Sequence, residues 1–316
     1  MYMHSSMSAL TPYAQVQQVY DDKLLSVPGL ATSPLDLDKV SLRCQHLLKR
    51  LMQFNGKAEY VPEKVNLCTF SHDCQLLLTG SDDCHICVWN VENGKCLFKV
   101  NGHTGPVKAC AFSADSKLFA SGSCDCTVRV WNTATAQCLH ILQGHSKSVE
   151  TVCFSPDSRL LASGGWDYKA VLWDSKFGYI MKSLPGHRNV IKTSAFSFNG
   201  EYLATGSWDY TVIVWNVQNV KRRKTLQGHK GNVSCVAFST IGMLASGSWD
   251  KTVRVWDSRN GILIFVLEEH TGQLMALSFS SDAILLVTAA EDGTIRVWDC
   301  EDGKCKKILK VTRLSL

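Results

Sequence analysis

The sequence predicts an all-β protein built from six copies of a four-stranded unit and preceded by a segment outside the repeat. Within one unit, short apolar runs such as VKACAFS, KLFASGS, TVRVWN and QCLHILQ are separated by turn residues such as SADSK. Runs of this length and composition, without a helical period, predict strands. A strict interval over six units indicates a repeat architecture. The interval is 41 or 42 residues and is marked by Trp89, Trp131, Trp173, Trp215, Trp256 and Trp298.

Each unit carries the same polar residues at fixed distances from its tryptophan. An aspartate lies six residues before the tryptophan, and a serine or threonine lies ten residues before it. In five units a histidine stands upstream, four times in a Gly-His pair and once in a Glu-His pair. The five complete sets are His103/Ser121/Asp125/Trp131, His145/Ser163/Asp167/Trp173, His187/Thr205/Asp209/Trp215, His229/Ser246/Asp250/Trp256 and His270/Thr288/Asp292/Trp298.

Four-stranded units of about 40–45 residues with Gly-His and Trp-Asp marks resemble the WD-repeat family of β-propellers. The resemblance covers about residues 58–312. It implies that each set forms a hydrogen-bonded tetrad, in which aspartate orients histidine, histidine meets the hydroxyl and the hydroxyl meets the indole N–H. Serine, histidine and aspartate also build hydrolase sites. A catalytic centre needs one constellation in one pocket, however, so five copies favour a structural role, and we expect no enzyme.

The number of recognisable units is compatible with two arrangements of the propeller. In the first unit Val61 replaces the histidine and Tyr60 replaces the glycine, while Thr79, Asp83 and Trp89 remain, so we expect an incomplete tetrad there. After the sixth unit the chain supplies one more strand over residues 304–311, which completes the last blade. The family usually has seven blades. The sequence therefore predicts either a closed six-bladed propeller or an incomplete seven-bladed one.

The N-terminal extension, residues 1–57, shares none of the period of the propeller, residues 58–316. Residues 1–35 are rich in Ser, Tyr, Gln and Pro and predict a flexible segment. Over residues 37–53 an apolar stripe at helical spacing predicts an amphipathic helix. That helix either docks a partner or packs on the side of the propeller. The stripe consists of Val40, Cys44, Leu47, Leu48 and Leu51.

Composition narrows the range of partners. A net charge of +5, with 19% charged residues evenly spread, does not predict nucleic-acid binding. No secretory signal and no apolar run of about 18 residues is visible, so we expect no membrane partner and a cytoplasmic or nuclear location. The fourteen cysteines are then reduced. Cys84 and Cys87 have zinc-like spacing but lack a second pair, and we expect no metal, no cofactor and no small-molecule substrate.

The resemblance places partner binding on loops at the top face, around a central channel. One set of positions directly precedes each tetrad aspartate and holds Asp82, Cys124, Trp166, Trp208, Trp249 and Glu291. The other lies five residues after each histidine and holds Asn66, Lys108, Glu150, Lys192, Ser234 and Met275. We expect Trp166, Trp208 and Trp249 to bind a peptide, although copied repeats that cover neighbouring blades would also explain them. With Lys108 and Lys192 flanking Glu150, a ligand with both charge signs is expected.

Two further motifs suggest other partners. WDSR, residues 256–259, is similar to the motif by which some propellers dock on cullin ubiquitin-ligase adaptors, and Arg259 would make that contact. The basic run Val220–Lys224 is either a nuclear import or phosphate-binding signal, or a charged edge that prevents strand pairing. The sequence thus predicts a non-enzymatic interaction scaffold that binds peptide segments of other proteins. The substrate receptor of a cullin-type ubiquitin ligase is the alternative.

Overall fold

The computed structural model describes residues 65–310, which form six four-stranded antiparallel sheets and no helix within that range. In every sheet the strands pair in chain order. Sheets one to three contain β1 Val65–Phe70, β2 Leu76–Ser81, β3 Ile86–Asn90, β4 Cys96–Val100, β5 Val107–Phe112, β6 Leu118–Ser123, β7 Thr127–Asn132, β8 Cys138–Gln143, β9 Val149–Phe154, β10 Leu160–Gly165, β11 Lys169–Asp174 and β12 Ile180–Pro185. Sheets four to six contain β13 Ile191–Phe196, β14 Tyr202–Ser207, β15 Val212–Asn216, β16 Lys221–Leu226, β17 Val233–Phe238, β18 Met243–Ser248, β19 Val253–Asp257, β20 Leu263–Leu267, β21 Leu274–Phe279, β22 Leu285–Ala290, β23 Thr294–Asp299 and β24 Cys305–Lys310.

Burial changes systematically across each sheet. The second strands are almost wholly buried, as in Leu160–Gly165, because apolar and small residues alternate on two covered faces. The fourth strands lie at the outer edge and are largely exposed, most clearly in Lys221–Leu226. Charged side chains on such an edge oppose pairing with another strand. The first strands of successive sheets pack on one another and form the inner layer.

A glycine in the second strand joins each of the first five sheets to the next sheet. A Cβ atom on Gly164 would lie 2.7 Å from Cγ2 of Ile191, the first residue of β13. The missing side chain therefore admits the fully buried Ile191 against the backbone. The same contact joins Gly80 to Val107, Gly122 to Val149, Gly206 to Val233 and Gly247 to Leu274.

This contact is not repeated between the sixth sheet and the first. Ala289 stands where the other sheets have glycine, and Val65, the counterpart of Ile191, is only partly buried. Among the described residues, β21 and β1 lack the packing that joins every other pair of successive first strands. The six sheets therefore form an open series within residues 65–310.

Two apolar clusters mark the ends of this series. Most core clusters span two neighbouring sheets, as where Val149 and Leu161 of sheet three pack with Leu142 of sheet two. One end cluster lies within sheet one alone and contains Cys68, Phe70, Leu77, Cys87 and Trp89. The other lies within sheet six alone and contains Val287, Ala289, Ile295 and Val297.

Several predicted features lie outside the described residues. They are the flexible segment over residues 1–35, the amphipathic helix over residues 37–53 and the substitutions at Tyr60 and Val61. The division between residues 57 and 58 also falls there and stays a prediction. The last strand was predicted over residues 304–311, and β24 spans Cys305–Lys310. Within the described range, no helix has the length and apolar character of a membrane span.

Candidate functional site

The top face is the end of the sheets where the second strand turns into the third, at the turns that contain the tetrad aspartates. In sheet two His103 donates from Nδ1 to the Asp125 carboxylate at 2.8 Å. Its Nε2 lies 2.7 Å from the Ser121 hydroxyl, which accepts the Trp131 indole N–H at 2.9 Å. A neutral imidazole satisfies both bonds when the serine donates to Nε2. The four residues thus pair every polar group they bury.

The same three contacts recur in sheets three to six. The histidine–carboxylate distances there are 2.9, 2.9, 3.0 and 2.9 Å. The tryptophan–hydroxyl distances are 2.8, 2.9, 3.0 and 2.8 Å. Among its described residues, sheet one keeps only the tryptophan–hydroxyl contact, in which Trp89 donates to Thr79 at 2.9 Å. Its Asp83 accepts the backbone N–H of His85 at 3.1 Å.

The tetrad hydroxyls lie inside the sheets, where no ligand can reach them. Ser163 is 1% exposed, and the other four have no exposed surface at all. Although they stand among the predicted site residues, they form no part of a binding surface, in contrast to the top-face positions. Their contacts are confined to the histidine, the indole and the strand backbone. The four are Ser121, Thr205, Ser246 and Thr288; the last three lie 2.8 Å from Nε2 of His187, His229 and His270 respectively.

A threonine two residues after the aspartate extends four of the tetrads, and the sequence analysis did not identify it. Thr127 donates its hydroxyl to Asp125 at 2.7 Å, and its backbone N–H binds the same oxygen at 2.9 Å. Burial alone would raise the pKa of Asp125, but the bonds from Thr127 and His103 lower it to about 2. The Asp-x-Thr spacing was the available signal. The equivalents are Thr211, Thr252 and Thr294, whereas sheet three has Lys169.

A second repeated hydrogen-bond set lies at the opposite end of the sheets and was also missed. The buried Ser113 donates to Asp115 at 2.6 Å and accepts the backbone N–H of Leu118 at 3.0 Å. It closes the turn between the first and second strands, as serine and aspartate do in local turn motifs. The same pairs are Ser71/Asp73, Ser155/Asp157, Ser197/Asn199 and Ser280/Asp282.

Three tryptophans form a row across the top of sheets three, four and five. This Trp row consists of Trp166, Trp208 and Trp249, the residues that precede three tetrad aspartates. Each backbone N–H binds a carbonyl in the loop that leads into its own sheet, at 2.9 Å from Ser148, Val190 and Asn232 respectively. Because this backbone is tied at both sides of the turn, the three side chains start from fixed positions.

The rings of the Trp row contact one another. The centroids of Trp166 and Trp208 are 5.4 Å apart at an interplanar angle of 73°, an edge-to-face arrangement. Trp208 and Trp249 are 5.5 Å apart at 48°. Trp166 is 41% exposed and the other two are partly exposed. The Nε1 atom of Trp208 is buried without a hydrogen-bond acceptor in the described part of the chain. The row is thus a continuous apolar surface.

The buried carboxylate of Glu150 fixes the ring of Trp166, at one end of the Trp row. Glu150 accepts the Trp166 indole N–H at 2.9 Å, the Ser148 hydroxyl at 3.0 Å and the Lys192 ammonium at 2.8 Å. Burial by itself would raise the pKa of Glu150. The charge of Lys192 and these hydrogen bonds outweigh that effect, so the pKa lies below its usual value. Glu150 is therefore ionised and fully engaged within the protein.

The structure separates Lys108 from the pair formed by Glu150 and Lys192. Lys108 binds Asp82 of sheet one at 2.8 Å, and Asn66 donates to the same oxygen at 2.7 Å. The predicted charges at the channel mouth thus form two internal ion pairs, each between neighbouring sheets. Lys108, Glu150 and Lys192 all lie on the first strands of their sheets. A ligand of both charge signs is not required by this arrangement.

Four exposed cations lie in the same top-face turns and loops as the Trp row. The backbone N–H of Arg188 binds Asp209 at 2.9 Å, and that of Lys230 binds Asp250 at 2.8 Å; these aspartates follow Trp208 and Trp249. None of the four forms an ion pair with a residue in the range 65–310. The Nζ atom of Lys147 lies 5.7 Å from the centroid of the Tyr168 ring. The four are Lys147, Arg188, Lys230 and Lys251.

The remaining predicted positions lie away from the Trp row. Arg259 is exposed in the turn after β19, and its carbonyl accepts a bond from Arg223 at 2.8 Å. The basic run forms the exposed outer strand β16. Cys87 is buried, which raises the pKa of its thiol to about 12. No group of three metal-ligating side chains occurs in the part of the chain described.

Comparison with known proteins identifies the repeat. The family described as "WD domain, G-beta repeat" matches six segments, residues 49–90, 94–132, 136–174, 178–216, 220–257 and 261–299. A 45-residue stretch is 49% identical to Periodic tryptophan protein 2 of Arabidopsis thaliana. That stretch is 14% of this chain and spans only 5% of the length of the plant protein.

Proposed function

Since the chain belongs to the WD40 repeat family, whose propellers generally serve as protein-interaction scaffolds, we propose that it binds a peptide segment of a partner protein over the Trp row. The observation that carries the proposal is the contact of three tryptophan rings across three adjacent sheets on the top face. Tryptophan is enriched among residues that dominate binding energy at interfaces. An interaction scaffold needs such an anchor.

The ion pair between Glu150 and Lys192 supports this use of the Trp row. Glu150 and Lys192 hold Trp166 in place from below, so the ring is ordered before a partner arrives. A preorganised anchor loses less conformational entropy on binding. The repeated tetrads contribute to the same rigidity, because they join the turns that carry the row to the strands beneath. The site is therefore a fixed surface, and its specificity depends on what lies around the rings.

Affinity purification with mass spectrometry tests the proposal. The tagged wild type is compared with the Trp166→Ala/Trp208→Ala/Trp249→Ala variant, after circular dichroism shows that both are folded. A matched control removes aromatic rings elsewhere, at Phe177 and Tyr179, which are 64% and 53% exposed and stack at 6.4 Å. We expect a specific partner to be lost from the triple variant alone. If the triple variant retains every partner of the wild type, the Trp row is not the binding site.

A substrate receptor of a cullin-type ubiquitin ligase is the second candidate. Its support is the exposure of Arg259, whose guanidinium is open to a partner carboxylate. Lys176 occupies the equivalent position in sheet three and instead lies 5.2 Å over the Phe177 ring. We expect Arg259→Ala, but not Lys176→Ala, to abolish co-purification with the ligase adaptor. Equal adaptor recovery from both variants would remove this candidate.

Two finer assignments complete the proposal. We propose a cytoplasmic or nuclear location, which suits the thirteen free thiols among the described residues. From the stretches HTGPVK, SCDCTVR and LASGSWDKT we also propose a relationship to WD repeat-containing protein 38.

A further inference from the structure

The charge around the Trp row is of one sign. Lys147, Arg188, Lys230 and Lys251 are exposed on the top of sheets three to five and pair with no carboxylate of the described chain. Unpaired charges in one sector create a potential that favours ligands of opposite charge. The sector is therefore electropositive over an apolar surface.

The carboxylates of the same sector cannot neutralise these cations. Glu150 is occupied by Lys192, Ser148 and Trp166. Each tetrad aspartate binds the imidazole of its histidine and the backbone N–H that follows that histidine. These aspartates are Asp167, Asp209 and Asp250. An acidic ligand would supply the missing counter-charge.

The top of sheets one, two and six differs from the Trp row both in charge and in aromatic content. The positions equivalent to the Trp row are Asp82 in sheet one, Cys124 in sheet two and Glu291 in sheet six. Two of these are acidic, and none offers an aromatic ring. The aromatic surface and the unpaired cations thus coincide in sheets three to five alone among the sheets described. This coincidence distinguishes a binding surface from a general property of the repeat.

The ring geometry favours a peptide over single-stranded nucleic acid. Bases stack on open aromatic faces. In the Trp row the neighbouring rings meet at centroid distances of 5.4 and 5.5 Å and steep angles, which leaves no slot for a base between them. A continuous apolar surface of this kind suits an aliphatic or aromatic side chain. Building on the proposed function, we propose that the partner segment is an acidic peptide that places an apolar side chain on the Trp row.

Peptide selection tests the chemistry of the ligand directly. Phage displaying random dodecapeptides are selected on the immobilised full chain and counter-selected on the Trp166→Ala/Trp208→Ala/Trp249→Ala variant. The enriched peptides are expected to be acidic and to contain an aliphatic or aromatic residue. Enrichment of neutral or basic peptides would overturn the inference. A selected acidic peptide is expected to bind more weakly as salt is raised, because screening weakens exposed charge pairs.

Charge reversal identifies the cations responsible. Arg188→Glu/Lys230→Glu is expected to weaken binding of the selected acidic peptide at least about tenfold. A matched reversal on the outer strand, Arg222→Glu/Lys224→Glu, is expected to leave that binding unchanged. An equal effect of both reversals would show that only the net charge of the protein matters, which would overturn the assignment to these cations. Tighter binding of a single-stranded oligothymidylate than of the acidic peptide would assign the surface to nucleic acid instead.

The failure of this inference is distinguishable from failure of the proposed function. If selection yields peptides that depend on the Trp row but not on Arg188 and Lys230, the peptide site stands and its acidic preference is wrong. If no peptide is enriched over the triple variant and that variant also retains all cellular partners, both proposals are wrong.

Discussion

Trp166 donates its indole N–H to Glu150 at 2.9 Å, so the most exposed ring of the Trp row is held by a buried carboxylate. Glu150 lies on the inner strand of sheet three, and its charge is paired with Lys192 from sheet four. The ion pair thus links two sheets and orients one surface ring. Changes at Glu150 consequently affect both stability and the presentation of Trp166.

Replacing Glu150 tests the first of these effects, the contribution to stability. Glu150→Ala removes the acceptor for Trp166 and the partner of Lys192, and we expect the free energy of unfolding to fall by about 1–3 kcal/mol. Glu150→Gln keeps an oxygen for the indole N–H and should lose less. Urea denaturation of the three proteins measures the difference. Equal stability of all three would show that the contact contributes nothing to the folded state.

Removing one tetrad hydroxyl tests how much a tetrad contributes to stability. Ser163→Ala leaves Trp173 Nε1 and His145 Nε2 without a partner inside the protein, and we expect a loss of about 1–3 kcal/mol in the free energy of unfolding. Ser146→Ala is the matched control, because Ser146 is exposed and uses only its backbone N–H. Thermal or urea unfolding measures both. A similar loss from the two variants would contradict the assigned role.

Sheet three lacks the threonine that extends the tetrads of sheets two, four, five and six. Lys169→Thr should restore the bond to Asp167 and raise the free energy of unfolding by about 0.5–1.5 kcal/mol. Lys169→Val has the same shape without the hydroxyl and controls for removal of the lysine. The prediction fails if the valine variant is as stable as the threonine variant.

The sheet junctions predict unequal losses for the two substitutions Gly164→Ala and Ala289→Gly. Gly164→Ala places a methyl group 2.7 Å from Cγ2 of Ile191, and we expect a loss of about 1–3 kcal/mol from overpacking. Ala289→Gly changes the equivalent position in sheet six, where no β1 residue packs in the described structure. Its loss should stay within about 1 kcal/mol. Comparable losses from the two variants would contradict overpacking against Ile191 as the cause of the loss at Gly164.

Acid should weaken the fold in two stages. Burial lowers the pKa of His103 and His270 below their usual 6.5, so the unfolded chain binds protons preferentially below that pH and stability falls. The aspartates of the five complete tetrads have a pKa below their usual 3.8, and Asp125 reaches about 2, which adds a second loss as pH falls below 3.8. Urea midpoints measured from neutral to acidic pH test this. Asp125→Asn should reduce the second loss, and a rise in stability on acidification would contradict it.

The repeat made most of the fold predictable. A tryptophan every 41 or 42 residues located all six sheets, and the tetrad partners followed from fixed spacings. These features depend on local sequence and on a copied pattern. The left-handed turn residue after each aspartate was not predictable from residue type, since Cys126, Tyr168 and Lys251 adopt positive φ there and only sheet six has a glycine, Gly293.

The arrangement of the candidate site's residues was predictable, but their ion pairs were not. Trp166, Trp208 and Trp249 occupy equivalent places, so their alignment on one face followed from the period. Spacing also placed Lys108 and Lys192 on either side of Glu150. It could not show that Lys108 binds Asp82, because the choice between two carboxylates depends on side-chain conformation. The Ser/Asp pairs at the other end of the sheets were visible as a repeat and were overlooked.

The open series of sheets gives residues 65–310 two ends, and in this respect the described part of the chain behaves as a one-dimensional stack. An interior sheet separates only when contacts on both of its faces break, whereas sheets one and six each have a single neighbour among the described sheets. Fraying therefore begins at the two ends, and amide hydrogens there exchange first. The Trp row lies in sheets three to five, within the interior of the stack, and so belongs to the part whose cooperative unfolding comes last.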